Sequence, residues 1–187
     1  MTTTLLSIIM PCYNEAKGVG RTLDALEQLR VRLAAQLVRI EIIAVDDGSR
    51  DGTADRLDER AQSMSGLKVV RHDVNRGKGA AIRTGRDHVT GQLVVFQDAD
   101  METGYKAFTA EAFRVMRMTS DRFGMEPETV ARLAQMRARV YEVPISYVGR
   151  TYAEGKKITW RDGVAVFWHI VKARASAKEQ PRLRGAQ

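Results

Sequence analysis

Two aspartates at i and i+2, Asp98 and Asp100, directly follow the apolar run Leu93 to Phe96. Carboxylates so spaced can both reach one divalent ion once the backbone leaves regular strand geometry, and Mg2+ or Mn2+ prefers such oxygen ligands, often shared with substrate phosphates. The pair can therefore anchor a metal on a nucleotide diphosphate, with Glu102 adding a third oxygen. Two acids in an exposed loop are more often merely solvated; here they close an apolar run and accompany other polar groups. The next group, Asp46-Asp47-Gly48-Ser49-Arg50-Asp51-Gly52-Thr53, follows Ile40 to Val45. A polar turn explains Asp51 and Thr53 as helix caps. It explains Asp46 and Asp47 less well, because carboxylates that continue a buried strand are costly unless hydrogen-bonded; a ribose hydroxyl or base N–H would suit them. The last group is Pro11-Cys12-Tyr13-Asn14-Glu15. Taken alone, Cys12 and Tyr13 read as packing residues and Glu15 as a helix-entry acid.

Each group needs a strand to deliver it. Leu5 to Met10 is too short for a helix and reads as a buried strand; Ile40 to Val45, apolar on both faces except Glu41, suits a parallel strand covered on both sides. Leu67 to Val70 and Leu93 to Phe96 supply two more. Between them, Val19, Leu23, Leu26, Leu33 and Leu37 recur at helical spacing, a second helix runs to about Ser63, and a third follows the Asn75 to Gly79 loop to about His88. This β-α-β-α-β-α-β alternation predicts a mostly parallel sheet with helices on both faces, whose ligands bind at the carboxyl ends of the strands. The three acidic groups would then face one cleft. Beyond Asp100 the sequence predicts helices near Lys106 to Val115 and Glu126 to Gln135, a strand from Val140 to Ile145, and a helix from about Thr159, all within one domain, 1–187.

The balance of 44% apolar and 28% charged residues in 187 is that of a globule with a core, which argues against disorder. The single cysteine, Cys12, excludes an internal disulfide, and His72, His88 and His169 are too scattered for zinc. A net charge of +7 is compatible with phosphorylated substrates, but the arginines are spread along the chain rather than gathered in a stripe, which argues against nucleic acid. Gly18-x-Gly20 and Gly77-x-Gly79 lack the third glycine of a dinucleotide fingerprint, and Gly77-Lys78 lacks the surroundings of a phosphate-binding loop. No run approaches the length of a membrane span and no signal peptide stands at the N-terminus, so the expected location is cytoplasmic.

In this order, Pro11-x-Tyr13-Asn14-Glu15, Val45-Asp46-Asp47-Gly48-Ser49-x-Asp51-x-Thr53, Asn75-x-Gly77-Lys78-Gly79 and Asp98-Ala99-Asp100 resemble family-2 glycosyltransferases of the GT-A fold. The runs Met101 to Phe108, Ser120 to Gly124 and Gly149 to Lys157 are similar to the dolichol-phosphate mannosyltransferase-like branch, which moves a sugar from GDP-mannose or UDP-glucose to a polyprenyl phosphate. The resemblance implies an α/β, GT-A-like fold, with 1–100 as the nucleotide-sugar-binding half and 101–187 as a shortened acceptor-side half. It implies that Pro11, Tyr13, Glu15, Val45 and Asp47 hold the nucleoside, that Asp98, Ala99, Asp100 and Glu102 hold Mg2+ or Mn2+ and the diphosphate, and that Arg150 and Lys156 contact phosphates.

Relatives carry a substantial segment between the Asp-x-Asp strand and the run that begins here at Asp100, and a cysteine where Gly104 stands, so the chain reads as a truncated version with an internal deletion. Two functions follow as expectations: metal-dependent, inverting sugar transfer to a polyprenyl phosphate, or a catalytically impaired remnant that binds a nucleotide-sugar. Trp160, Val164, Phe167, Trp168 and Val171 fall on one helical face with Lys156, Lys157, Arg161, Lys172 and Arg174 nearby. Such a face can lie on an anionic membrane, which adds peripheral contact with the cytoplasmic membrane face to the expectations.

Overall fold

The computed structural model describes residues 2–99, 105–122 and 124–143. The chain divides into two compact units, Met1–Arg114 and Val115–Gln187. In the first unit the strands are β1 (Thr4–Cys12), β2 (Val38–Asp46), β3 (Leu67–Arg71), β4 (Leu93–Phe96) and β5 (Lys106–Thr109), in spatial order β3-β2-β1-β4-β5. The first four are mutually parallel and β5 is antiparallel to β4. This is the mostly parallel sheet flanked by helices expected from the sequence.

Connections α1 (Val19–Ala34), α2 (Thr53–Ser63) and α3 (Lys78–Arg86) are the crossovers. Val19, Leu23 and Leu26 of α1 and Leu57 of α2 join Ile8, Met10, Cys12, Ile40, Ile42 and Ala44 in one buried cluster. Ile9, of opposite parity on β1, meets α3, where a Cβ at Gly85 would come within 2.6 Å of its side chain. Successive strand side chains point to opposite faces, so apolar runs without alternation are what a sheet covered on both sides requires.

Glu41 is the polar break in β2. Its carboxylate accepts hydrogen bonds from the Ser7 hydroxyl, from Thr90 N and Oγ1 at 2.7 Å each, and from Gly91 N at 3.2 Å. Burial alone would raise this carboxyl, but the bonds from Ser7, Thr90 and Gly91 hold it below its ordinary value of 4.5.

Three expectations are corrected. Lys106 to Thr109 is strand, and only Ala110–Val115 (α4) is helix. The Phe108 ring lies tilted 4.9 Å from that of Phe96 across the β4–β5 pair, and Phe113 closes the cluster at 5.1 Å from Phe96, so tertiary packing outweighs the helix-compatible composition of Lys-Ala-Phe-Thr. Helix α1 ends at Ala34, and Leu37 takes a left-handed conformation (φ 58°) that turns the chain into β2. In the second unit α5 (Met125–Gln135) forms, but 140–143 is irregular, with Val140, Tyr141 and Val143 exposed, so the apolar β-branched run there does not by itself make a strand. The remainder of that expected strand and the helix from Thr159 lie outside the described residues.

Within the second unit Glu128 and Arg132 form a buried ion pair at 3.0 Å. Glu128 also accepts from Thr119 N and Ser120 N, tying the Thr119-Ser120 segment to α5.

Candidate active site

Because β1, β2 and β4 are parallel neighbours, their carboxyl tips share one edge. Cys12 pairs in register with Asp46, and Ile9 with Phe96. Cys12, buried at the end of β1, lies on this edge. Burial drives its thiol far above the ordinary value, and the nearby carboxylates of Asp46, Glu15 and Asp98 push it the same way. Acids from three separate strand tips therefore act on one buried atom.

The loop after β1 is stitched to the loop after β2. Asn14 N donates to Ser49 Oγ (2.9 Å), Arg50 N to Asn14 Oδ1 (3.0 Å), Glu15 N to Thr53 Oγ1 (2.8 Å) and Ala16 N to Asp51 Oδ2 (3.0 Å). Asp51 also accepts from Thr53 N and Oγ1, although the N-cap position of α2 is Gly52. Much of the Asp-Asp-Gly-Ser-x-Asp-x-Thr pattern thus builds the wall of the site. Gly48 has φ 71°, and a Cβ there would stand 2.7 Å from the Val74 carbonyl carbon, so this position excludes any side chain.

Asp46 and Asp47 are both buried. Asp46 Oδ1 accepts Ser49 N at 3.3 Å. Asp47 Oδ1 accepts His72 Nδ1 (2.6 Å) and Arg76 N (2.9 Å), and Oδ2 accepts Gly77 N (2.7 Å). Asp47 thereby holds the loop that enters α3, where Lys78 is the first helical residue. The Lys78 ammonium lies 2.8 and 2.9 Å from the two carboxylate oxygens of Asp98, with both side chains about one-third exposed at 35% and 31%. Ala99 is buried, and its carbonyl accepts the Thr22 hydroxyl of α1 at 2.5 Å.

Of the residues expected at the site, Pro11, Tyr13, Glu15, Val45, Asp47, Asp98 and Ala99 stand on or just beyond these strand tips, with Val45 buried and Tyr13 46% exposed. Asp100, Glu102, Arg150 and Lys156 lie outside the described residues. Sequence reasoning assigned no role to His72 or Lys78. Lys78 was visible in the Gly-Lys-Gly run, whereas the contact between Asp47 and His72 spans 25 positions.

For a divalent metal, Asp98 supplies the right chemistry: a hard oxygen donor, partly exposed, already facing a cation in the Lys78 ammonium. Among the described residues no group of three or more His, Cys, Asp or Glu gathers to hold a metal. The remaining candidate ligands, Asp100 and Glu102, are outside them.

A mostly parallel sheet whose strand carboxyl ends carry acids along one edge is an open α/β architecture, in which ligands bind at that edge. Residues 7–109 match the glycosyl transferase family 2 model, and the chain belongs to that family. The family and the observed sheet agree with the GT-A-like expectation. A dolichyl-phosphate beta-glucosyltransferase of Trichomonas vaginalis is 39% identical over 107 residues, covering 55% of this chain and 32% of the relative. An undecaprenyl-phosphate 4-deoxy-4-formamido-L-arabinose transferase of Pseudomonas aeruginosa is 31% identical over 159 residues, covering 84% of this chain and 38% of the relative. A mannosyltransferase from Pyrobaculum calidifontis, solved with GDP-Man and Mn2+, is 27% identical, with a TM-score of 0.46 over 60% of this chain and 31% of that one. The chain spans about a third of the length of the curated relatives it matches.

Proposed function

We propose that this edge binds a sugar nucleotide, GDP-mannose or UDP-glucose in type, and that the sugar passes to a polyprenyl phosphate with inversion. The observation that carries the reading is that parallel neighbours β1, β2 and β4 bring the segments bearing Glu15, Asp46 and Asp98 to one sheet edge, within a chain that belongs to a glycosyltransferase family. Two named relatives act on dolichyl or undecaprenyl phosphate, which supports the acceptor class.

In this reading Pro11, Tyr13, Glu15, Val45 and Asp47 hold the nucleoside, Ala99 lines the diphosphate, and Asp98, Asp100 and Glu102 hold Mg2+ or Mn2+. A bound divalent ion supplies charge stabilisation for the departing diphosphate. Arg150 and Lys156 bring cations to the phosphates. An acceptor phosphate monoester, with a second pKa near 6, is already largely anionic at neutral pH and can attack the anomeric carbon without a general base. The Trp160 to Val171 face, with its flanking cations, would bring the protein to the cytoplasmic membrane face where such an acceptor resides. No helix among the described residues is long and apolar enough to cross a membrane.

A second reading, binding of the nucleotide-sugar without transfer, rests on the short passage from Asp98-Ala99-Asp100 into the Met101 to Phe108 run, where the resemblance implies a longer acceptor-side segment. One experiment separates the two: incubate the purified protein with Mn2+, GDP-mannose or UDP-glucose, and a short polyprenyl phosphate, then assay for glycolipid. An inverted glycolipid is the expected product. Binding without product supports the second reading, and a retained anomer contradicts the proposed displacement.

A further inference from the structure

We propose that His72, braced by Thr84, is a positioning residue for the donor site: it sets the orientation of the Asp47 carboxylate and, through it, the loop that presents Lys78 to Asp98. The inference rests on the reading of this edge as a sugar-nucleotide site. His72 Nδ1 is 2.6 Å from Asp47 Oδ1 and its Nε2 is 2.9 Å from Thr84 Oγ1 on α3. An ionised carboxylate only accepts, so Nδ1 carries the proton, and in the neutral ring Nε2 accepts the Thr84 hydroxyl. The imidazole is thus held at both ends and is buried, where it cannot meet a ligand itself.

The consequence falls on Asp47. A carboxylate offers about four acceptor positions. Oδ1 accepts from His72 and Arg76 N, and Oδ2 accepts from Gly77 N. One position on Oδ2 is left among the described contacts, fit for a single donor such as a nucleoside N–H or hydroxyl. Rotating the carboxylate would break three bonds in a buried setting, so its direction is fixed before any ligand arrives. Gly77, held by this carboxylate, immediately precedes Lys78, which pairs with Asp98. A continuous set of contacts therefore runs from α3 through His72 and Asp47 to the acid at the tip of β4, joining two motifs that lie far apart in the sequence.

The test is calorimetric titration of UDP and of GDP, each with Mn2+, into wild type, His72→Leu, His72→Asn and Thr84→Val, at a temperature below the melting point of every protein. His72→Leu is expected to weaken binding by up to about tenfold, the limit reached if the whole worth of its hydrogen bond to Asp47 goes into holding the carboxylate in its binding orientation. His72→Asn, whose amide can replace the Nδ1–H donor, should return to within about threefold of wild type, and Thr84→Val should weaken binding about two- to threefold. A role confined to folding would lower the melting temperature of these variants while leaving affinity in the folded protein unchanged, and that outcome overturns the proposal. If His72→Leu does not fold, unchanged affinity in Thr84→Val overturns it. Wild type that binds neither nucleotide would refute the site reading itself, a result distinct from equal binding by wild type and variants.

Discussion

Asp47 and Asp98 both stand just past the tip of a parallel strand, yet the chain holds them in opposite ways. Asp47 is buried and accepts three hydrogen bonds, two of them from backbone N–H groups that no side-chain motion can withdraw. Asp98 is about one-third exposed and, among the described residues, faces the flexible ammonium of Lys78. Burial of the first fixes a loop, while accessibility of the second leaves its oxygens open to exchange one cation for another. Glu41, inside β2 and five residues before Asp46, makes the contrast clearer. It too is ringed by donors, from Ser7, Thr90 and Gly91, but on the edge away from the site. An acid breaking an apolar strand therefore marks a place where loops are tied, and only its position along the strand says whether the tie lies at a site.

This contrast sets the order of expected effects. Asp47→Ala should cost most, about 3 kcal/mol, because it leaves the Arg76 and Gly77 N–H groups and the His72 ring without their acceptor in a buried setting. Urea denaturation would measure it, and a loss below about 1 kcal/mol would place the loop's support elsewhere. Gly48→Ala comes next, at about 2 kcal/mol, since the residue is left-handed and its Cβ would press on the Val74–Asn75 backbone. The same denaturation series reads it, and a neutral result would mean that the loop rearranges freely.

Glu41 gives a smaller effect that depends on pH. Its folded-state value is lowered, so the stability it contributes is present above its ordinary 4.5 and lost as pH falls through the lower folded value. Melting temperatures of wild type and Glu41→Gln should differ at neutral pH and converge as pH falls through the lowered folded-state value, below the ordinary 4.5. Parallel curves across that range would show that the carboxyl is not held by its donors.

Much of this was legible in the sequence because the signals were local. The strands β1 to β4 are short, largely apolar runs ended by Pro11, Asp46, Arg71 and Gln97, and each acidic group follows one of them. What was not legible depends on contacts between distant residues. Lys106 to Thr109 has no strand signature of its own; it is strand because Phe108 meets Phe96 and Phe113. The acceptor demand of Asp47 was apparent, but its partners are His72 and the Arg76-Gly77 backbone, supplied by a loop whose path only the fold determines. Asp51 and Thr53, legible as ends of α2, also clamp the loop after β1, which their spacing alone did not reveal.

The reading stands most directly on Asp98. Titrating UDP and GDP into wild type and Asp98→Asn, with and without Mn2+, should show binding that needs the metal in wild type, loss of that metal dependence in the variant, and a change in stability below about 0.5 kcal/mol, since the Lys78–Asp98 pair is partly exposed. Metal-dependent binding that survives in Asp98→Asn, or wild-type binding indifferent to Mn2+, would contradict it.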